Sequence, residues 1–297
     1  MNSKTKNKNT IISMAFILPS FLMFCIFMFY PLIRTIYLSF FDWNLISPNK
    51  KFVGFDNYIN LFKDPITFKV LNNTFLYIVI LLVINFIVPY ILAYILHSQI
   101  KNRKNLFKST IFLPSVISLV VGSMLYLWML NPVSGPVGII AKMIGIEVPN
   151  WTKTEGLVIV VLSLITSWKV FGYNFIILYA GIMGVNQDVI ETAIIDNIPS
   201  WKIFKDIILP MSSASGIYVF IITVVQGLQY VFIPIKVLTQ GGPDYASSNL
   251  TYQSYHEAFT LYRVGSSSAF SVLTLIIFGL LLYLEYKYVE VGAYYEN

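Results

Sequence analysis

The chain has 297 residues, of which 57% are hydrophobic and only 11% charged, whereas about a quarter of residues are charged in water-soluble domains. Its net charge of +6 is spread over short basic runs beside apolar stretches and forms no continuous face, which argues against nucleic acid and for the flanks of membrane spans. The lone Cys25 lies inside an apolar run, which excludes a disulfide framework and any Cys/His metal spacing.

At the N-terminus, Lys4, Lys6 and Lys8 precede an apolar run from Ile11 to about Tyr30. The run is too long for the core of a cleavable leader and continues through Phe24, Phe27 and Phe29 without small residues, so it reads as a retained anchor. Six windows are long enough to cross a bilayer: 12–33, 74–96, 110–130, 157–182, 214–236 and 268–284. Backbone groups must be paired inside lipid and alternating ten-residue strands are missing, so the windows read as helices. The expected fold is all-α, a polytopic bundle of six transmembrane helices.

Lys101, Arg103, Lys104 and Lys108 follow the second window. With the N-terminal lysines they place that loop and both termini in the cytoplasm. Segment 184–211 then faces the cytoplasm, and 41–73, 131–156 and 237–267 face outward. The expected regions are 1–70 (tail, first helix and outer loop), 71–288 (a five-helix core with the 184–211 loop) and a cytoplasmic tail, 289–297.

None of the six windows carries Asp or Glu, although ion-coupled carriers commonly place such groups at membrane depth. Phosphate-loop, zinc-site and nucleophile-turn motifs are also missing from the sequence. A protein of this kind that drives transport takes its energy from another polypeptide; the alternatives are a self-contained secondary transporter or channel, or a polytopic enzyme using Lys169 or His256. Lys169 falls mid-window, followed by Tyr173 and Asn174; it either lines a solvated path or reaches for the surface or a polar neighbour. For Asn85, Gln226 and Gln229, lining the path and bonding between helices both remain open. Pro89, Pro114 and Pro234 are expected to bend their helices.

The 184–211 segment is unusually well punctuated for a connection between spans. Asp188 and Glu191 are three apart, as in a capping box. Val189, Ile190, Ala193 and Ile194 repeat at helical period, Asn197 suits a left-handed C-cap and Pro199 blocks continuation. Ser200 then caps a second helix in which Trp201, Phe204, Ile207 and Ile208 share one face opposite Lys202 and Lys205, and Leu209-Pro210 closes it. The acidic Asp188, Glu191 and Asp196 disfavour a helix lying among anionic headgroups and favour a protein partner.

These residues resemble the Glu-Ala-Ala…Asp-Gly…Leu-Pro signature of the permease subunits of binding-protein-dependent ABC importers, with Glu191, Ala193, Asp196, Leu209 and Pro210 at matching positions. Thr192 stands for the second Ala and Asn197 for the Gly; Asn is the next most tolerant residue of positive φ. Val53-Gly-Phe-Asp-Asn57-Tyr58, Leu130-Asn-Pro132, Leu238-Thr-Gln-Gly241-Gly242-Pro243 and Glu257-Ala-Phe259 follow in the family's order, so the likeness spans nearly the whole chain.

The resemblance implies a type I importer permease fold and a non-catalytic subunit of a prokaryotic plasma membrane. It implies that Glu191, Ala193, Asp196, Asn197, Leu209 and Pro210 couple to a cytoplasmic ABC ATPase dimer. A second homologous permease would share the path and an extracytoplasmic solute-binding protein would deliver the solute. No cofactor is bound directly; ATP and Mg²⁺ are used by the ATPase. Within the family the chain is most similar to the carbohydrate-uptake branch of maltose and glycerol-3-phosphate type, and Trp168-Lys169, Tyr173-Asn174-Phe175 and the ending Tyr288-Val289-Glu290 resemble the glycerol-3-phosphate type in particular. Lys169, Tyr173, Asn174, Gln226, Gln229 and Asn85 are the expected path residues.

Overall fold

The computed structural model describes residues 3–100 and 102–288; Lys101 and the 289–297 segment, with Val289 and Glu290, lie outside the described residues. The chain divides into two compact units, one made of Met1–Lys63 and Ser254–Leu273, the other of Asp64–Gln253 and Thr274–Asn297.

In the first unit, α1 (Met14–Leu38) leaves its most apolar stretch wholly unburied, as a helix meant for a hydrocarbon solvent can. Strands β1 (Phe41–Asp42) and β2 (Lys51–Phe52) pair antiparallel with Phe41 opposite Phe52, and α2 (Asp56–Lys63) follows. The Val53–Tyr58 motif is a clasp. Gly54 turns the chain at φ +57°, Asn57 donates to the carbonyls of Ser39 (2.8 Å) and Phe41 (3.1 Å), and Tyr58 donates to the Ser39 hydroxyl at 2.6 Å.

In the second unit, Asp64 accepts from the Ile66 amide at 2.9 Å and Pro65 occupies the first helical position, which starts α3 (Pro65–Ser98) cleanly. Next come α4 (Lys104–Phe112), α5 (Leu119–Met129), α6 (Pro136–Met143), α7 (Leu157–Met183), α8 (Gln187–Ile195), α9 (200–211) and α10 (Ser213–Thr239). Helices α11 (Leu250–Phe259) and α12 (Val264–Tyr288) follow in chain order. Among the described residues, five helices are long and apolar enough to cross a membrane, matching five of the six expected windows.

The third window, 110–130, is not one helix. Lys104–Val116 and Leu119–Met129 meet at 95°, because Ile117 and Ser118 take extended ψ values of 139° and 135°. Pro114 lies just before that break rather than at a gentle bend, so a sixth span exists only as a bent pair.

Helix α7 is the centre of this unit and touches α3, α4, α5 and α10. Close crossings use small residues: a side chain at Gly172 would strike the Ile111 carbonyl, and one at Gly181 would meet Ser215. A buried amide network binds the three long helices. Asn174 on α7 donates to the Asn85 carbonyl on α3 (2.8 Å) and to Thr223 on α10 (3.0 Å), Gln226 donates to Asn174 Oδ1 (3.3 Å), and Asn85 donates to Ser167 (3.1 Å). In an apolar interior each of these polar groups would be costly if left unmatched.

The Gly241-Gly242-Pro243 stretch opens a loop that is sewn into the unit instead of standing clear of it. Asn73 donates to the Tyr245 and Ser248 carbonyls (2.9 and 3.1 Å), Tyr77 to the Ser247 carbonyl (2.9 Å), and Thr74 accepts from the Leu250 amide (3.0 Å). Lys69 pairs with Glu155 at 2.7 Å and with Asp244 at 3.1 Å.

Candidate functional site

Helix α8 begins two residues earlier than the Asp188–Glu191 spacing implies. Asn186 is the N-cap, its side-chain oxygen accepting the Asp188 amide at 2.9 Å; Asn caps as well as Asp, so Asp188 becomes a first-turn acid facing the positive end of the helix dipole. The C-terminal expectation holds in detail. Asn197 has φ +54°, the Ile198 amide donates to the Ala193 carbonyl and the Asn197 amide to the Ile194 carbonyl, each at 3.0 Å. Those are the two bonds of a Schellman motif, which closes the helix and turns the chain toward α9.

The faces of α8 differ from the simple stripe. Ile190 and Ala193 are buried, while Val189, Ile194 and Ile195 are exposed beside Glu191 and Asp196. Only the narrow inner edge is anchored, and the outer face combines isoleucines with carboxylates.

In α9, Ser200 does not cap with its side chain; Pro199 holds the N-cap position, and the Ser200 carbonyl accepts the Tyr94 hydroxyl at 3.0 Å. Ile203–Ile208 is wound in the wider i→i+5 manner, which slips the phase of the helix. Ile203 therefore takes the inward place expected of Trp201, which is 61% exposed. Leu209 is half-buried and Pro210 exposed; α9 passes through both and ends at Met211.

The inner faces of both loop helices enter the core of the unit: Ile190, Ala193, Ile203 and Ile208 pack with Tyr90, Tyr94, Leu178 and Ile182. A chain of rings reinforces this joint. Centroid separations are 5.6 Å for Phe220–Phe86, 5.8 Å for Phe86–Tyr90, 5.8 Å for Tyr90–Phe204 and 5.0 Å for Phe204–Tyr94. Tyr90 also shares a 2.6 Å hydrogen bond with the Ser212 hydroxyl. Sequence reasoning missed Tyr90 and Tyr94; their four-residue spacing on α3 is a signal, but it also suits an ordinary lipid-facing stripe.

The expected path residues separate into two groups. Lys169, Tyr173 and Gln226 come together with Phe112, Ser115 and Tyr230 around a cavity of about 450 Å³. Asn85 and Asn174 are fully buried in the amide network behind its wall, and Gln229 is exposed outside the set of residues that line it. Lys169 donates its ammonium to the carbonyl of Ser115, just before the 95° break, where helix carbonyls lose their partners. Lys169 thus lines this cavity and is paired with a polar neighbour. A cation at a helix C-terminal end is also favoured by the helix dipole.

Comparison with known proteins adds a lineage to this geometry. The family model described as "Binding-protein-dependent transport system inner membrane component" matches residues 101–292. A probable ABC transporter permease protein of Bacillus subtilis, YurN, is 30% identical, with 96% of this chain and 98% of the relative covered. The sn-glycerol-3-phosphate transport system permease protein UgpA of Agrobacterium fabrum is 25% identical, with 97% of each covered. Among solved structures, a chain of a bacterial ABC transporter involved in the import of the acidic polysaccharide alginate superposes with a TM-score of 0.83 at 20% identity, covering 96% of this chain and 97% of that one.

Proposed function

The chain belongs to the inner membrane components of binding-protein-dependent transport systems, and on that footing we propose that it is the permease subunit of an ATP-driven importer. It forms the translocation path together with a second, homologous permease and hydrolyses nothing itself; ATP and Mg²⁺ act on a separate cytoplasmic ABC ATPase dimer. An extracytoplasmic binding protein hands over the solute, a sugar, an oligosaccharide or a sugar-phosphate-like molecule. Relatives named for sn-glycerol-3-phosphate transport support that class. The chain sits in a prokaryotic plasma membrane with both termini inside, 1–70 and 289–297 flanking the 71–288 core.

One observation carries the coupling role: α8 is anchored through Ile190 and Ala193 yet leaves Val189, Glu191, Ile194, Ile195 and Asp196 exposed. Apolar side chains beside carboxylates suit a protein groove better than water or anionic lipid. With Asn197 shaping the corner and Leu209-Pro210 at the far end of α9, closure of the ATPase dimer moves the loop, and the packed joint passes that motion to α3 and α7 as a rigid body.

The test uses the assembled importer. Glu191→Lys, or Asn197→Trp, is expected to lower ATPase co-purification and ATP-dependent uptake in proteoliposomes by about tenfold or more, with membrane insertion unchanged. Normal uptake with the ATPase still bound in both variants would falsify the coupling assignment.

A further inference from the structure

Building on the importer reading, we propose that two cavities either side of Phe112 form one groove that selects solutes carrying an anionic group, a phosphate or carboxylate on a hydroxylated body. Phe112 lines the cavity of about 450 Å³ that holds Lys169. It also lines a second, of about 480 Å³, with Asn105, Lys108, Ser109 and Tyr179.

The helical repeat makes the two continuous. On α7, Lys169, Tyr173, Ile176 and Ala180 recur at intervals of four, three and four residues, and on the 104–116 segment Asn105, Lys108, Phe112 and Ser115 recur at three, four and three. Such spacing sets each group on one helix face. From Lys169 to Ala180 the stripe on α7 is about 16 Å long at 1.5 Å per residue.

The chemistry of this surface is one-sided. A lysine stands in each cavity, and neither is lined by a carboxylate. Lys169 is held by a carbonyl, that of Ser115, and Lys108 lies 5.3 Å from the centroid of the Tyr179 ring. Neither contact cancels the charge, and apolar walls strengthen its field. The Ser115 hydroxyl is buried with no hydrogen-bond partner among the described residues, and Gln226, whose amide is shared with Asn174, lines the same cavity. Phe112, Tyr173 and Tyr230 present rings to the same space, the flat apolar surfaces that the C–H faces of a sugar ring can cover. A neutral solute would match the rings and leave both ammonium groups without a counter-charge.

The experiment holds the complete importer in phosphatidylcholine nanodiscs without ATP. Thermal unfolding is followed while sn-glycerol-3-phosphate or galacturonate is titrated, with glycerol and galactose as neutral controls. Saturable stabilisation by the two anions and not by the controls is expected. Lys169→Met should weaken the apparent affinity about tenfold, as should Lys108→Gln, which breaks no hydrogen bond to the backbone, while Lys169→Arg retains it. Equal response to charged and neutral probes, or unchanged affinity in both neutralised variants, overturns the proposal. Stabilisation by phosphatidylglycerol in the disc, but by neither soluble anion, would make the groove a lipid site and overturn it equally. Because this assay reads binding without ATP, its failure is distinct from a failure of the importer reading, which is decided at Glu191.

Discussion

Asn197 holds a left-handed backbone, φ +54°, at the one place where α8 must stop and turn, and an L side chain with a branched β-carbon strains there by about 1–2 kcal/mol. Asn197→Gly should leave the corner intact, whereas Asn197→Val should speed amide hydrogen exchange across α8; equal protection in the two would remove the conformational argument. The sequence spacing made this position readable, since Asn followed by Ile198-Pro199 after an apolar stripe has few other uses. Its counterpart at the other end was not readable. Asn186 and Asp188 are both good caps, and only the backbone decides which one the first turn uses. Asn174 shows the same division: its type suggested a polar role, but not that Asn85, Thr223 and Gln226 would absorb it. Asn174→Leu should cost about 1–3 kcal/mol by orphaning Gln226, seen as a lowered midpoint of thermal unfolding in detergent.

At the scale of elements, the joint between loop and bundle is made by side chains on three helices. Phe204 on α9 lies between Tyr90 and Tyr94 of α3, and Ile203 and Ile208 sit with Ile182 of α7. Phe204→Ala is expected to separate attachment from transmission: the ATPase should still co-purify, because the outer face of α8 is untouched, while uptake per ATP hydrolysed falls several-fold. Unchanged transport stoichiometry in that variant would show that the ring chain carries no motion. Amphipathic periodicity identified α9 as a helix with Phe204, Ile207 and Ile208 inward, but placed Trp201 there too. The pattern assumes 3.6 residues per turn throughout, and Ile203–Ile208 is wound more widely.

For the molecule as a whole, hydropathy located five helices because a spanning helix must be both long and apolar, and the sequence reports both properties. It could not report the 95° turn in the third window, since two extended residues, Ile117 and Ser118, change direction without changing composition. The orientation drawn from Lys and Arg has its own test. In a Cys25→Ser background, Asp196→Cys should react with an impermeant thiol reagent only from the cytoplasmic side and Glu147→Cys only from outside; labelling from one common side would reverse the topology.

The split of α8 into an anchored edge and a free face has an evolutionary consequence. Ile190 and Ala193 answer to the bundle, and the residues around Glu191 answer to whatever they meet outside it, so the two sets can change on different schedules. On the coupling role proposed above, an importer lineage can change its engine by rewriting one face of a nine-residue helix while the rest of the bundle stays as it was.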